Sequence, residues 1–156
     1  MSALWTAIRD AAVGPGLRAF FPVRAYAQVK AIVDPETDYR ERLIGDYALD
    51  IAAAHALVGP GARGARLVSV HVPEAFAHWV PPGACYNRVG YYEVPNSRLV
   101  YREGDDEERS FGIASMISWR GVWYVVHLGA VTRRVTEGVV DDPSEGVGES
   151  APSSTC

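Results

Sequence analysis

Lysine is nearly absent from this chain: Lys30 stands alone against fourteen arginines in 156 residues. With abundant Ala, Gly and Val, this is a codon-linked bias that points to a GC-rich bacterial genome and carries no information on function. Cysteine is scarce as well, limited to Cys85 and Cys156. Two cysteines do not build a disulfide framework, so free thiols and a cytoplasmic location are the expectation. No apolar run approaches the roughly 20 residues a membrane helix needs. The opening Met-Ser-Ala-Leu-Trp-Thr-Ala-Ile-Arg-Asp has no basic start followed by an apolar stretch, and so does not read as a secretory signal. An excess of positive charge is also missing. A net charge of −4 and a pI near 5.5 offer no general attraction to phosphate, so nucleic acid is not expected as a partner.

Signature motifs are equally thin. There is no Gly-x-Gly-x-x-Gly, P-loop or Gly-x-Ser-x-Gly, and Gly14-Pro15-Gly16 and Gly59-Pro60-Gly61 read as helix stops because proline does not suit a phosphate cradle. Neither His-x-x-x-His nor Cys-x-x-Cys occurs, and His55, His71 and His78 lack companions at ligand spacing, so neither a metal nor a cofactor is expected. Cys85 has no cationic neighbour but Arg88, which argues against an activated thiolate.

What the chain does contain is apolar residues, 48% of the total, enough for one domain with a real core. From Arg109 to Val131 they write out a long β-hairpin around Arg120-Gly121, a two-residue turn whose glycine can take positive φ. That turn opposes Trp119 to Val122, Ile117 to Tyr124, Ser115 to Val126 and Ile113 to Leu128 on one face. The other face then carries Ser118 opposite Trp123, Met116 opposite Val125 and Ala114 opposite His127. Both faces are apolar, so both require a cover.

Upstream, a helix is expected over Ala3–Val13 and broken helical structure over Leu17–Val33, interrupted at Pro22. The clearest helix begins at Asp34 as N-cap with Pro35 behind it, and buries Leu43, Tyr47, Ile51, Ala54 and Val58. Arg66–Val72 reads as a strand and Pro73–Trp79 as a short helix. Tyr86–Val94 and Arg98–Arg102 read as two strands joined by a turn at Pro95-Asn96-Ser97. From Thr136 onward the Gly-, Ser-, Pro- and acid-rich composition predicts a disordered tail.

This order, helices first and then a meander closing on the hairpin Ser-Trp-Arg-Gly-Val-Trp-Tyr-Val-Val-His-Leu, resembles the α+β cone of the NTF2-like superfamily over about residues 17 to 131. One departure is the single strand where the family has a β-hairpin before its third helix. The resemblance implies an α+β fold with N-terminal helices packed on a curved antiparallel meander sheet, a cone or roll. It also implies a pocket between sheet and helices, and a homodimer formed through the outer sheet face. The domain organisation expected is a single α+β cone at 1–135 and a disordered acidic tail at 136–156.

Within such a pocket His127 is the most informative polar group, although a core histidine satisfied by one hydrogen bond is the plainer reading. Asp46 and Asp50 lie one helical turn apart and could share a face, while Tyr47 sits on the buried stripe and could offer a phenol. The expected ligand-binding set is Tyr47, Met116, Trp123, Val125 and His127, facing a small apolar or aromatic ligand. The expected function is a non-catalytic ligand-binding or protein-interaction module. The alternative is a small acid/base enzyme, an isomerase, cyclase or hydratase, working through His127, Tyr47 and Asp50. A third reading takes the terminal Ser-Ser-Thr-Cys as a tethered recognition or modification site.

Overall fold

A computed structural model describes residues 1–152. The terminal Ser-Ser-Thr-Cys lies outside the described residues. Helix α1 (Ser2–Asp10) buries Leu4, Trp5, Ala7 and Ile8 and ends at Ala11 in the left-handed conformation. Gly14-Pro15-Gly16, expected as a plain stop, instead lies within a single helical turn, α2 (Val13–Gly16). A Cβ at Gly16 would lie 2.9 Å from Ala7 Cβ and 3.0 Å from the Tyr47 hydroxyl, so only glycine lets these segments meet. Residues 19–21 then run beside the final hairpin, with Phe21 N donating to Val125 O at 2.9 Å and Val125 N to Ala19 O at 2.9 Å. Pro22 caps α3 (Val23–Val29).

Helix α4 (Pro35–Asp38) starts as its sequence predicts, with Asp34 Oδ1 accepting from Thr37 N at 3.0 Å. It runs through a π-turn at Tyr39–Leu43 into α5 (Ile44–Val58). Leu43, Tyr47, Ile51, Ala54 and Val58 are all buried, so the expected stripe is the core-facing one. Among the described residues, no helix is long and apolar enough to cross a membrane.

Six strands follow: β1 (Ala65–His71), β2 (His78–Val80), β3 (Tyr91–Glu103), β4 (Arg109–Trp119), β5 (Val122–His127) and β6 (Asp141–Glu145). All pair antiparallel in one sheet of order β1-β3-β4-β5, with β2 added beside β3 and β6 beside β4. Short 3₁₀ turns at Glu74–Phe76 and Ala84–Tyr86 connect them, the first standing where a short helix was expected.

This sheet corrects the NTF2-like expectation: the fold is α+β, but the sheet is neither closed nor curled into a cone or roll. The cause is visible at Pro95-Asn96-Ser97. A turn there would split the segment into two strands of a meander. Instead Asn96 takes a left-handed conformation (φ 43°), and β3 continues for 13 residues against β4 with no shift of register.

The tail read from composition as disordered contributes a strand. β6 pairs Ser110 with Ser144 and Gly112 with Asp141. Before it, the segment after β5 is tied to α5 by Asp50, whose carboxylate accepts from Gly129 N at 2.9 Å and Val139 N at 3.1 Å and pairs with Arg133. Polar composition hides this because the contacts that dock the segment are backbone hydrogen bonds and an ion pair rather than apolar side chains.

Candidate functional site

The hairpin turn behaves as its sequence requires: Arg120 (φ 52°) and Gly121 (φ 79°) both have positive φ, the geometry of a type I′ turn. Trp119 opposes Val122, Ile117 opposes Tyr124, Ser118 opposes Trp123 and Met116 opposes Val125, as read. Beyond that point the register shifts, and Ser115 faces His127 instead of Val126. Val126 is thus the extra residue of a β-bulge, and the bulge carries His127 from the Met116–Val125 face to that of Ile117 and Tyr124.

The face His127 joins borders a cavity of about 590 Å³. Its apolar wall includes Phe21, Val29, Leu43 and Ile117; its polar groups include Lys30, Arg42, Glu93, Ser115, Asn96 and His127. Three elements deliver them. β3, β4 and β5 supply Glu93, Ser115 and His127 as neighbours across the sheet. The end of α3 supplies Tyr26 and Lys30, and the π-turn contributes the buried Leu43 and, at the rim, the half-exposed Arg42. A π-turn inserts a residue into the helical repeat and changes which side chains face a neighbour.

Glu93 is buried and accepts from Ser115 Oγ at 2.6 Å; burial pushes its carboxyl pKa up. His127 moves the other way. Burial first, and the Arg42 charge next, lower its pKa to about 4, so the imidazole is neutral near pH 7. His127 makes no side-chain hydrogen bond or ion pair with another described residue. Lys30 Nζ donates to Cys85 O at 2.9 Å, and burial lowers its pKa. Arg42 is held by Asp38, at 2.8 Å from Nε and 2.7 Å from Nη2, while Tyr26 hydrogen-bonds both partners. Asn96 Nδ2 donates to Asp141 at 3.3 Å, and its buried Oδ1 has no partner among the described residues.

Of the residues expected at the site, His127 alone lines this cavity. Met116 and Val125 are core residues on the opposite face of the strands, and Trp123 is half-buried beside Ser118. Tyr47 packs on Phe20, ring centroids 4.3 Å apart, and its hydroxyl donates to Gly16 O at 3.4 Å. Asp50 anchors the segment after β5, and Asp46 lies 3.3 Å from Arg133. His127, Tyr47 and Asp50 therefore do not converge. Glu93, Ser115, Lys30 and Arg42 were not singled out from sequence. A lone carboxylate in the apolar strand Tyr-Tyr-Glu-Val was the available signal for Glu93, and the chain's single lysine was the signal for Lys30.

Cys85 also lines the cavity, and it is disulfide-bonded rather than the free thiol expected. It lies in a tight turn where Cys85 (φ 51°) and Tyr86 (φ 56°) are both left-handed, a strained arrangement for non-glycine residues. Backbone bonds to the end of α3 hold the turn, from Ala31 N to Tyr86 O at 2.7 Å and from Arg88 N to Val29 O at 2.7 Å. Among the described residues, no group of three or more His, Cys, Asp or Glu is arranged to hold a metal ion. Comparison of the chain with protein-family models, with curated proteins and with solved structures gives no match, so its reading rests on this site alone.

Proposed function

We propose that the chain is a non-catalytic module that binds a small, partly aromatic molecule in the cavity between β3–β5 and α3. One observation carries this reading: Asn96 Oδ1, a buried acceptor with no partner among the described residues, and the His127 ring both border a cavity of about 590 Å³ that is otherwise partly apolar. Buried polar atoms are costly unless hydrogen-bonded, and the volume lies in the range typical of ligand sites. A ligand with one or two N–H or O–H donors on an aromatic body satisfies both features. Among the described residues no carboxylate or phenol hydrogen-bonds to His127 as a general base needs, which favours binding over turnover.

The test uses a fluorescent aromatic probe, 1-anilinonaphthalene-8-sulfonate, titrated into the chain and into two cavity-filling variants, Ala114→Phe and Val131→Trp. The reading expects each filler to weaken probe binding at least about tenfold, which is about 1.4 kcal/mol. Unchanged affinity in both folded variants would remove it.

A second reading is an acid/base enzyme, favoured by the opposite shifts of Glu93 and His127 in one cavity, the pattern that separates an acid from a base. It expects Glu93→Gln to abolish turnover of a bound compound while leaving its affinity within a few-fold. The proposal includes a homodimer, for which the exposed Trp79 and Tyr92 rings, 5.2 Å apart, offer an apolar patch; sedimentation at several concentrations tests it. Cytoplasmic residence loses the support that free thiols would have lent it, because disulfides persist in oxidising compartments.

A further inference from the structure

Lys30 is the only lysine of the chain, and it lines the cavity from the end of α3. An ammonium has three donors. One of them runs from Nζ to Cys85 O at 2.9 Å, and the centroid of the Tyr26 ring lies 6.0 Å from Nζ. Among the described residues no carboxylate forms an ion pair with Lys30. Arg42 reaches the hydroxyl of the same tyrosine at 2.9 Å, but its charge is already met by Asp38, 2.7 Å from Nη2. The carboxyl of Glu93 is engaged by Ser115 and pushed toward its neutral form by burial. Lys30 is therefore a partly buried cation that faces a partly apolar cavity with no counter-charge in contact. Burial first, and the Arg42 charge next, push its pKa down, the response expected of an ammonium so placed. Such a charge is costly until it is paired.

The cavity is polar in one direction. Lys30 bridges to Asn87, ahead of the start of β3 at Tyr91. Asn96 lies five residues along β3 from Tyr91, about 17 Å at the rise of an antiparallel strand. Its Nδ2 donates to Asp141, which fixes the amide and leaves Oδ1 as the acceptor without a partner among the described residues. His127 sits at the same end, on the rung of Pro95 and Ser115. One end thus offers a cation and the other offers acceptors. We infer that the cavity takes a hydroxyaryl carboxylate, with its carboxylate on Lys30 Nζ and its hydroxyl toward Asn96 and His127. This rests on the ligand-site reading above and names the class of ligand that site serves. The carboxylate takes the Nζ donors that Cys85 leaves over, in charge-assisted hydrogen bonds. The aryl ring lies against the apolar wall of Phe21, Leu43 and Ile117. The neutral imidazole of His127 accepts from a hydroxyl as an amide oxygen does.

Calorimetric titration of the full chain with para-hydroxybenzoate and with its neutral counterpart para-hydroxybenzamide isolates the charge. The parent is expected to bind the carboxylate at least about tenfold more tightly than the amide. Lys30→Met should abolish that preference by weakening the carboxylate alone, and Lys30→Arg should keep it. Because Lys30 is the only lysine, reductive methylation with isotope-labelled formaldehyde gives one side-chain resonance and preserves the charge. Para-hydroxybenzoate should shift that resonance and para-hydroxybenzamide should leave it in place, a readout that does not depend on either variant folding. Equal affinities in the parent, a preference that survives in folded Lys30→Met, or a resonance unmoved by the carboxylate would each overturn the assignment. If Ala114→Phe and Val131→Trp leave binding of the anilinonaphthalene probe unchanged, the cavity is not the site and the carboxylate assignment falls with it. If both fillers block the probe but para-hydroxybenzoate gives no heat, the cavity reading stands and the assigned class of ligand is wrong.

Discussion

His127 shows how much one residue's surroundings decide. Its pKa falls from 6.5 to about 4 on folding, chiefly through burial. An imidazole with a depressed folded pKa leaves stability untouched above about pH 6.5, where both states are neutral. Between pH 6.5 and 4 the unfolded chain takes up a proton that the folded chain refuses, so stability falls with pH. The loss approaches about 3 kcal/mol at the acid end by the linkage relation. His127→Gln is therefore expected to lose less stability than the parent between pH 7 and 4, by up to that amount, in urea unfolding followed across pH. Parallel curves for the two proteins would mean the imidazole is solvated.

Asp50 tests a different kind of burial. It is 2% exposed, and its partner Arg133 has a side chain only 8% exposed. Removing one member of a buried pair strands the other, which costs about 3–5 kcal/mol. Asp46, 3.3 Å from Arg133, retains part of the compensation. Asp50→Asn is thus expected near the low end, about 3 kcal/mol, by chemical denaturation. A cost below about 0.5 kcal/mol, the range of neutral surface changes, would show that the segment after β5 does not depend on this anchor.

At the scale of elements, two one-residue departures matter most. Val126 lies unpaired between the Val125 and His127 rungs and turns the imidazole toward Glu93 and Ser115. Asn96 keeps β3 running where a turn was expected. β6 is the third departure. A chain ending at Val135 loses the strand that covers Arg98, so the guanidinium gives up its bonds to Asp142 and Val147 and keeps only Ser110 Oγ at 2.8 Å. Losing the β6 ladder together with these bonds to a charged group is expected to cost about 3 kcal/mol, which in a domain of this size corresponds to a drop of roughly 6–12 °C in Tm. Calorimetry of the truncated chain checks this, and an unchanged Tm would mean that β6 is only loosely docked.

At the scale of the whole molecule, β3 and β4 form the centre of the sheet, paired with each other and each flanked on its other edge. Amide hydrogens there are expected to exchange only through global unfolding. Those of residues 146–152, exposed in alternation beyond β6, should exchange fastest among the described residues. Hydrogen exchange read by mass spectrometry distinguishes the two, and equal protection would contradict a two-tier molecule.

The sequence by itself determined the local features: the Asp34–Pro35 helix start, the buried stripe from Leu43 to Val58, the Arg120-Gly121 turn and the register of Ser118 and Trp123 around it. Each depends on chemistry within a few residues, where capping, periodicity and turn geometry operate. What only the tertiary structure decided was the open sheet, the docked tail and the membership of the cavity. A left-handed Asn96 and a bulge at Val126 are one-residue choices worth little locally, yet each changes the path or face of every residue that follows. Glu93, Ser115 and His127 come from three separate strands, and Lys30 and Arg42 from two separate helical segments. Their convergence is a product of strand pairing over long sequence separations, which no local pattern encodes.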